Sequence, residues 1–288
     1  MIIGLDLGGY EIKAGLVRGK TILRRVSLKT EAALGQEVVL RNICKAISAL
    51  LSAGVLGIGI GSPGPLDLRK GLIVKTPNLP FTNFPLRQKI KRRFGLPVEL
   101  DNDANCFVLA ESLYGAGKGF DFVLGLTLGT GVGGGIVLGK NIFHGRGNAG
   151  ELGHMTIAYA GPSARCGHPG CLESYLAEAG IMRRARAAGL RASPEELYKL
   201  AAARNSTAIR IWSEIGKLLG IGLANLTNAF DPDVIVLGGK ISRAARFFLP
   251  AAKAELKNRA FFTPPSVKIT ALGDDAGILG AASLLKSR

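Results

Sequence analysis

The 288-residue chain is short of acidic, cysteine and aromatic side chains, and each shortage removes a class of protein. Only 21 Asp and Glu stand against 37 Lys and Arg, leaving a net charge of +16. A chain this basic suits anionic partners, among them nucleic acid, anionic membrane and phosphorylated ligands. Aromatic residues make up 6%. The basic clusters "RRV", "KIKRRF" and "MRRARAAGLR" lack the interleaved rings that stack on bases in a single-strand-binding surface. They read as solvated helix faces, so no nucleic-acid partner is expected. Four cysteines are too few for a disulfide framework, and reduced thiols are expected. The opening "MIIGLDLGG" has no charged n-region and is not read as a signal peptide. Two stretches lack charge, 46–66 and 122–139, but Gly interrupts both and Ser and Pro interrupt the first. They read as a helix end running into a buried strand and as a glycine-rich hairpin, not as membrane spans. No membrane partner and a cytoplasmic location are the expectations. Hydrophobic content of 47% and a mean hydropathy of +0.26 exclude a disordered chain.

What is abundant is glycine, at 40 residues, in short clusters beside apolar runs and without a collagen-like period. That distribution marks strand ends where backbone comes close to something else. The runs "IIGLDLGG", "IKAGLV" and "TILRRVSL" predict an antiparallel meander. "QEVVLRNICKAISALLSAG" predicts a helix capped at Gly54, and "FPLRQKIKRRFG" a short one stopped by Gly95. "LPVELDNDANCFVLAESLYG" reads as strand, polar turn and helix. "FVLGLTLGTGVGGGIVLGKNIF" reads as strands joined by glycine turns. "ESYLAEAGIMRRARAAG" and "STAIRIWSEIGKLLGIGLANLTNAF" have helical spacing. "PDVIVLGG" and "SVKITAL" are strands, and "AGILGAASLL" is a closing helix. Residues 2–18 and 122–138 echo one another, each opening a block of meander followed by strand–helix units. A duplicated α/β domain with a central cleft accounts for this. The expected domains are a smaller N-terminal one, 1–114, joined by a returning C-terminal helix at 275–288, and a larger one, 115–274.

Three glycine turns are candidate phosphate sites. "DLGGY" sets Asp6 at a strand end beside Gly8 and Gly9, whose backbone N–H groups can converge on an anion, with Asp6 able to support Mg²⁺. "GTGVGG" matches G-x-G-x-x-G at Gly129, Gly131 and Gly134. A dinucleotide fingerprint opens a helix, whereas here a strand follows, so that reading fails. "VLGGK" adds Gly238 and Gly239. "ELDNDAN" gathers Asp101, Asn102, Asp103 and Asn105 at a strand-to-helix junction. One such residue suffices for a helix cap, and a further carboxylate there can accept a hydroxyl proton during phosphoryl transfer. Glu151 and His154 in "NAGELGHM" and Glu173 in "CLES" are polar groups of the kind that grip polyols.

Together "LDLGG", "SPGP", "DNDAN", "GTGVGGGIV", "GELGHM", "CGHPGCLE", "VIVLGG" and "DDAGILGAA" resemble, in order and spacing, the ROK family of sugar kinases and sugar-responsive repressors. The resemblance spans nearly the whole chain. It implies the actin-like, hexokinase-type ATPase fold, ribonuclease H-like in its duplicated domains. The repressors carry an N-terminal helix-turn-helix. This sequence opens on the first phosphate strand and resembles the kinases, glucokinases above all. By that resemblance Asp103 is the general base for the sugar 6-hydroxyl, and Asn102, Glu151, His154 and Glu173 hold the ring with Gly64 of "SPGP" nearby. Gly8, Gly9, Lys13, Gly129, Thr130, Gly131 and Gly133 serve the phosphates of ATP, Asp6 the Mg²⁺, and Gly238 and Gly239 the adenosine. A hexose and a nucleotide are the implied ligands, and a homodimer or homotetramer the implied assembly.

Two departures stand out. The first motif usually ends in Thr, and here position 10 is Tyr, which either displaces the phosphates or points away. The family's zinc site takes a His and three cysteines. Here His154, Cys166 and Cys171 match, but Ala164 replaces the first cysteine, with Ser163, His168 or water left to fill the gap. A metal-free thiol loop is favoured over zinc. The leading reading is an ATP-dependent glucokinase of carbohydrate metabolism. A polyphosphate-dependent glucokinase and a catalytically weak sugar sensor are the alternatives.

Overall fold

The computed structural model describes residues 1–76, 78–164 and 166–285. The chain opens with β1 (Ile2–Leu7), β2 (Glu11–Arg18) and β3 (Thr21–Lys29), paired antiparallel in sequence order as expected. Helix α1 (Gln36–Leu50) buries Val39, Ile43, Ala46, Ile47 and Leu50, the one-sided stripe its spacing predicts. It ends at Leu51 and not at Gly54. Leu51 is already extended, and Gly54 spends its left-handed φ of 84° in the turn that follows. Next come β4 (Gly57–Ser62), β5 (Leu66–Asp67), β6 (Leu72–Lys75), β7 (Thr82–Phe84) and α2 (Leu86–Phe94). Gly95 caps α2 in the left-handed region, its N–H bonded to Lys91 O. Strand β8 (Val98–Asn102) then runs straight into α3 (Asp103–Tyr114).

The second block repeats the first. It holds β9 (Phe122–Leu128), β10 (Val132–Leu138), β11 (Asn141–Ile142), α4 (Leu172–Leu176), α5 (Glu178–Ala187), α6 (Pro194–Ala202), α7 (Ser206–Phe230), β12 (Val234–Gly238), α8 (Ala245–Arg259), β13 (Ser266–Ile269) and α9 (Ala276–Ser283). The segment expected to be one helix from Glu173 onward is two, because Ala177 turns extended between α4 and α5. The large sheets have strand orders β3-β2-β1-β4-β8 and β11-β10-β9-β12-β13. In each, a meander is followed by two parallel strands, the duplication that the echo between 2–18 and 122–138 predicts. A small sheet, β5-β6-β7, was not foreseen.

The chain divides into two compact units. The first holds residues 1–121, 135–150 and the chain from Ala271 onward, and the second 122–134 and 151–270. Residues 286–288 of the expected returning segment lie outside the described residues. None of the described helices is long and apolar enough to cross a membrane.

In the first unit α9 lies directly on β1, β4 and α3. A Cβ on Gly59 would run into Ala281 O, one on Gly4 into Ile278 O, and one on Gly280 into Cys106 O. Glycine at these positions is what lets backbone meet backbone. Glu111, fully buried on α3, accepts N–H bonds from Ala116 at 2.7 Å, Ala271 at 3.2 Å and Leu272 at 3.1 Å. One carboxylate thereby ties the end of α3 to the segment on which the chain re-enters this unit. In the second unit α7 presents Trp212, Ile215, Leu219 and Leu223 inward. Its Gly216 and Gly220 pack against the α8 backbone at Phe248 O and Ala252 O.

Gly59→Ala should cost about 3 kcal/mol, the upper part of the overpacking range, because the obstacle is a carbonyl and not a flexible side chain. A urea unfolding curve with a lower midpoint and an unchanged slope would show it.

Candidate active site

In the first unit, Asp6 is the last residue but one of β1 and faces Lys13 across the β1–β2 register. The Asp6 carboxylate occupies the space beside Gly277, in the first turn of α9, that a Cβ there would take. Burial pushes the Asp6 carboxyl up, Lys13 opposes the shift, and the charges of Glu11 and Asp274 add to it. A carboxylate pressed this way gains from a cation placed beside it. Lys13 also lies 3.9 Å from Glu11. The turn itself is held by backbone: Gly8 N–H donates to Glu11 O at 3.0 Å. The hydroxyl of Thr30, a fully buried residue, donates to Gly8 O at 2.7 Å. Gly9 sits against Asn78, where a Cβ would come 2.7 Å from Asn78 Cβ. Tyr10 is 79% exposed, so of its two alternatives the ring takes the outward one.

Strand β8 carries the second group. Asn102 is the N-cap of α3, its Oδ1 accepting from Ala104 N at 2.8 Å and Asn105 N at 3.3 Å. The Asp103 Oδ1 accepts from Ala104 N at 2.8 Å. A helix N-terminus, with its partial positive charge, therefore holds both side chains. Asp101 points the other way, into the unit, with its side chain 5% exposed. Its Oδ1 accepts from Asn102 N at 2.7 Å and from Asn105 Nδ2 at 2.9 Å, and its Oδ2 from His144 Nε2 at 2.7 Å. Gly64 stands after β4 and joins Pro65 through a cis peptide.

In the second unit the turn after β9 is tight, with Gly129 N bonded to Gly131 O at 3.0 Å. Two residues from α4 and α5 fasten it. The Glu173 carboxylate accepts from Val132 N at 2.9 Å, and Glu178 N donates to Gly129 O at 3.0 Å. Thr130 is exposed at the tip. Gly133, expected among the phosphate contacts, lies inside β10 rather than in the turn. Gly239, at φ 82°, packs on the end of β9, where a Cβ would meet Leu128. Its carbonyl accepts from the Ser242 N and Oγ.

His154 and Glu151 lie on one short turn, Nε2 to Oε2 3.7 Å. The ligand atoms of His154, Cys166 and Cys171 all fall within 4.8 Å of one another, and the two sulfurs are 3.8 Å apart. A tetrahedral zinc with Zn–S bonds of about 2.3 Å has an edge near 3.8 Å, so the cluster fits that ion. His168, weighed as a fourth ligand, is exposed and outside the cluster.

Sequence reasoning missed a cavity of about 520 Å³ in the second unit. Gly129 and Thr130 line one part, Lys240 and Arg243 another, and Tyr198, Lys199 and Trp212 the rest. Trp212 is fully buried, and its Nε1 has no partner among the described residues. A signal for this wall was present in "SPEE": Ser193 and Glu196 form a reciprocal capping box that starts α6 and places Tyr198 and Lys199.

A profile of the ROK family matches residues 2–288. The chain belongs to the ROK family. Among ROK proteins it is 36% identical over 310 residues to a glucokinase of Thermotoga maritima, an alignment covering 100% of this chain and 98% of the relative. The ROK hexokinase of Thermus thermophilus is similar in structure, with a TM-score of 0.85, 40% identity and coverage of 98% and 96% of the two chains. A ROK glucokinase of Streptomyces griseus, solved in complex with glucose and AMPPNP, has the same TM-score at 32% identity and covers 98% of each chain. The duplicated sheets are thus those of the hexokinase-type, actin-like ATPase fold.

The Asp101 contact gives one pH prediction. Its hydrogen bond raises the His144 pKa above the ordinary 6.5, burial opposes this, and the Asp101 charge adds to it. A raised folded pKa means stability present in full below about pH 6.5 and lost as pH rises through the folded value. The urea midpoint of the wild type should therefore exceed that of His144→Gln most at low pH, with the gap narrowing toward alkaline pH. A gap that widens would contradict the ion pair.

Proposed function

We propose that this ROK protein is an ATP-dependent hexose kinase that phosphorylates the 6-hydroxyl of glucose. The observation that carries the reading is the pair Asn102–Asp103 at the N-terminus of α3, in a chain that matches ROK glucokinases over its whole length. Asp103 is the base. It takes the hydroxyl proton as the sugar oxygen attacks the γ-phosphorus, the new O–P bond forms, the bond to the β-phosphate oxygen breaks, and ADP leaves. Asn102 uses its carboxamide oxygen in the helix cap, which leaves its amide hydrogens as the part that meets a neighbouring hydroxyl. Glu151, His154 and Glu173 serve as further ring contacts, and Gly64 as another. The glycine turns at Gly8–Gly9 and Gly129–Gly131 offer backbone N–H groups to phosphate oxygens. Lys13 adds positive charge near the first turn, Thr130 extends the second, and Gly238–Gly239 leads into the cavity that suits a nucleoside. A Mg²⁺ carried with the nucleotide would neutralise phosphate charge, and Asp6, buried near the end of β1 beside Lys13, would be the group to support it.

The His154, Cys166 and Cys171 cluster suits zinc with three protein ligands and one position for water. Bound there, the ion fixes the ring of His154.

In a coupled assay with glucose and MgATP, Asp103→Asn should lower kcat by about 10²–10⁴-fold, the usual worth of a general base. Near-normal turnover would remove Asp103 from that role. Polyphosphate tested beside ATP separates the two donors by their kcat/KM. Protein prepared without chelators should hold about one zinc per chain, with Ala164→Cys, which completes the Cys₃His set, holding it more tightly against a competing chelator. Equal retention by both proteins would exclude position 164 from the ligand shell.

A further inference from the structure

Asp101 and His144 have no part in the roles above, yet they form a short, half-buried polar contact beside the turn that carries the proposed base. The Asp101 carboxylate is a three-way junction. One oxygen holds the backbone N–H of Asn102 and the side chain of Asn105, so it sets the path of the turn that carries Asn102 and Asp103. The other oxygen reaches a different part of the chain, the His144 ring at 2.7 Å. His144 in turn organises its own loop. Its carbonyl accepts from Gly147 N at 2.7 Å and from Ala149 N at 3.1 Å. Positive-φ glycines at 145, 147 and 150 mean that little else stiffens this segment before it runs into Glu151. The imidazole, 35% exposed, thus links the glycine loop to the end of β8.

We propose that the Asp101–His144 pair is a positioning device that keeps the loop 143–150 in register with the Asn102–Asp103 turn, so that sugar affinity depends on it more than the chemical step does. The proposal rests on the kinase reading for its sugar, but its structural half does not. Asp103 is oriented locally, by the α3 N-terminus through Ala104 N, and keeps that support without His144. The loop is tied to β10 through Phe143 N–H on Ile136 O and to the end of β8 through the His144 ring, so loss of the ring displaces the loop relative to β8 and falls on binding.

The experiment compares His144→Ala, His144→Gln and Asp101→Asn in the full chain. Gln can place an amide donor near the position of the imidazole Nε2. His144→Ala should raise the glucose KM by about 10-fold or more, the scale of a lost charge-assisted hydrogen bond, with kcat within about threefold. His144→Gln should restore most of the KM. Asp101→Asn keeps the shape, loses the charge and should raise KM as well, which covers the case in which His144→Ala does not fold. An unchanged KM in the folded variants, a fall in kcat alone, or a Gln variant no better than Ala would overturn the proposal. Amide hydrogen exchange without sugar provides the separate arm. His144→Ala should speed exchange across 143–150 more than elsewhere, and no such change overturns the positioning role. A wild type that neither binds nor phosphorylates any hexose rejects the kinase reading instead.

Discussion

The first unit depends on backbone meeting backbone where α9 lies on β1, β4 and α3. Gly4, Gly59 and Gly280 stand where any side chain would strike a carbonyl, so the helix sits closer to the sheet than side-chain packing allows. That closeness has chemical effects. It brings the first turn of α9, at Gly277, against the Asp6 carboxylate, and it leaves that carboxylate desolvated beside Lys13. Burial of Glu111 belongs to the same region. Three backbone amides satisfy a carboxyl group that would otherwise be costly to bury, and two of them belong to the segment leading toward α9.

Several side chains with proposed roles toward ligands also hold up the elements that present them. Asn102 caps α3, and Glu173 fastens the turn after β9 through Val132 N. Such residues arrive at a ligand already oriented, which limits the entropy lost on binding. Removing one disturbs both the fold and the site, so kinetic effects at these positions need to be read beside stability.

Much of this was legible in sequence because it is written in local pattern. The meander, the β8–α3 junction and the glycine turns follow from alternation, caps and clustered Gly. The repeat between 2–18 and 122–138 became two sheets of equivalent strand order. What was not legible lies in contacts between distant positions. The β5-β6-β7 sheet is built from very short strands with little periodicity. Nothing adjacent in sequence joins Asp101 to His144, and the helical run from Glu173 concealed a break at Ala177. The cavity walls come from α6, α7 and the turn after β12, which no single motif spans. The outward ring of Tyr10 was not legible either, since the motif alone allowed either orientation.

Trp212 is the sole tryptophan in the chain, and it sits in the wall of the cavity with no partner for its indole N–H among the described residues. The ring centroid of Phe248 lies 6.1 Å away and the indole is fully buried, while Lys199, Lys240 and Arg243 line the same cavity. The protein therefore carries one indole fluorophore among its five tyrosines, free of overlapping signals from other indoles. Its emission reports on the polarity of that one cavity, without a label and without turnover.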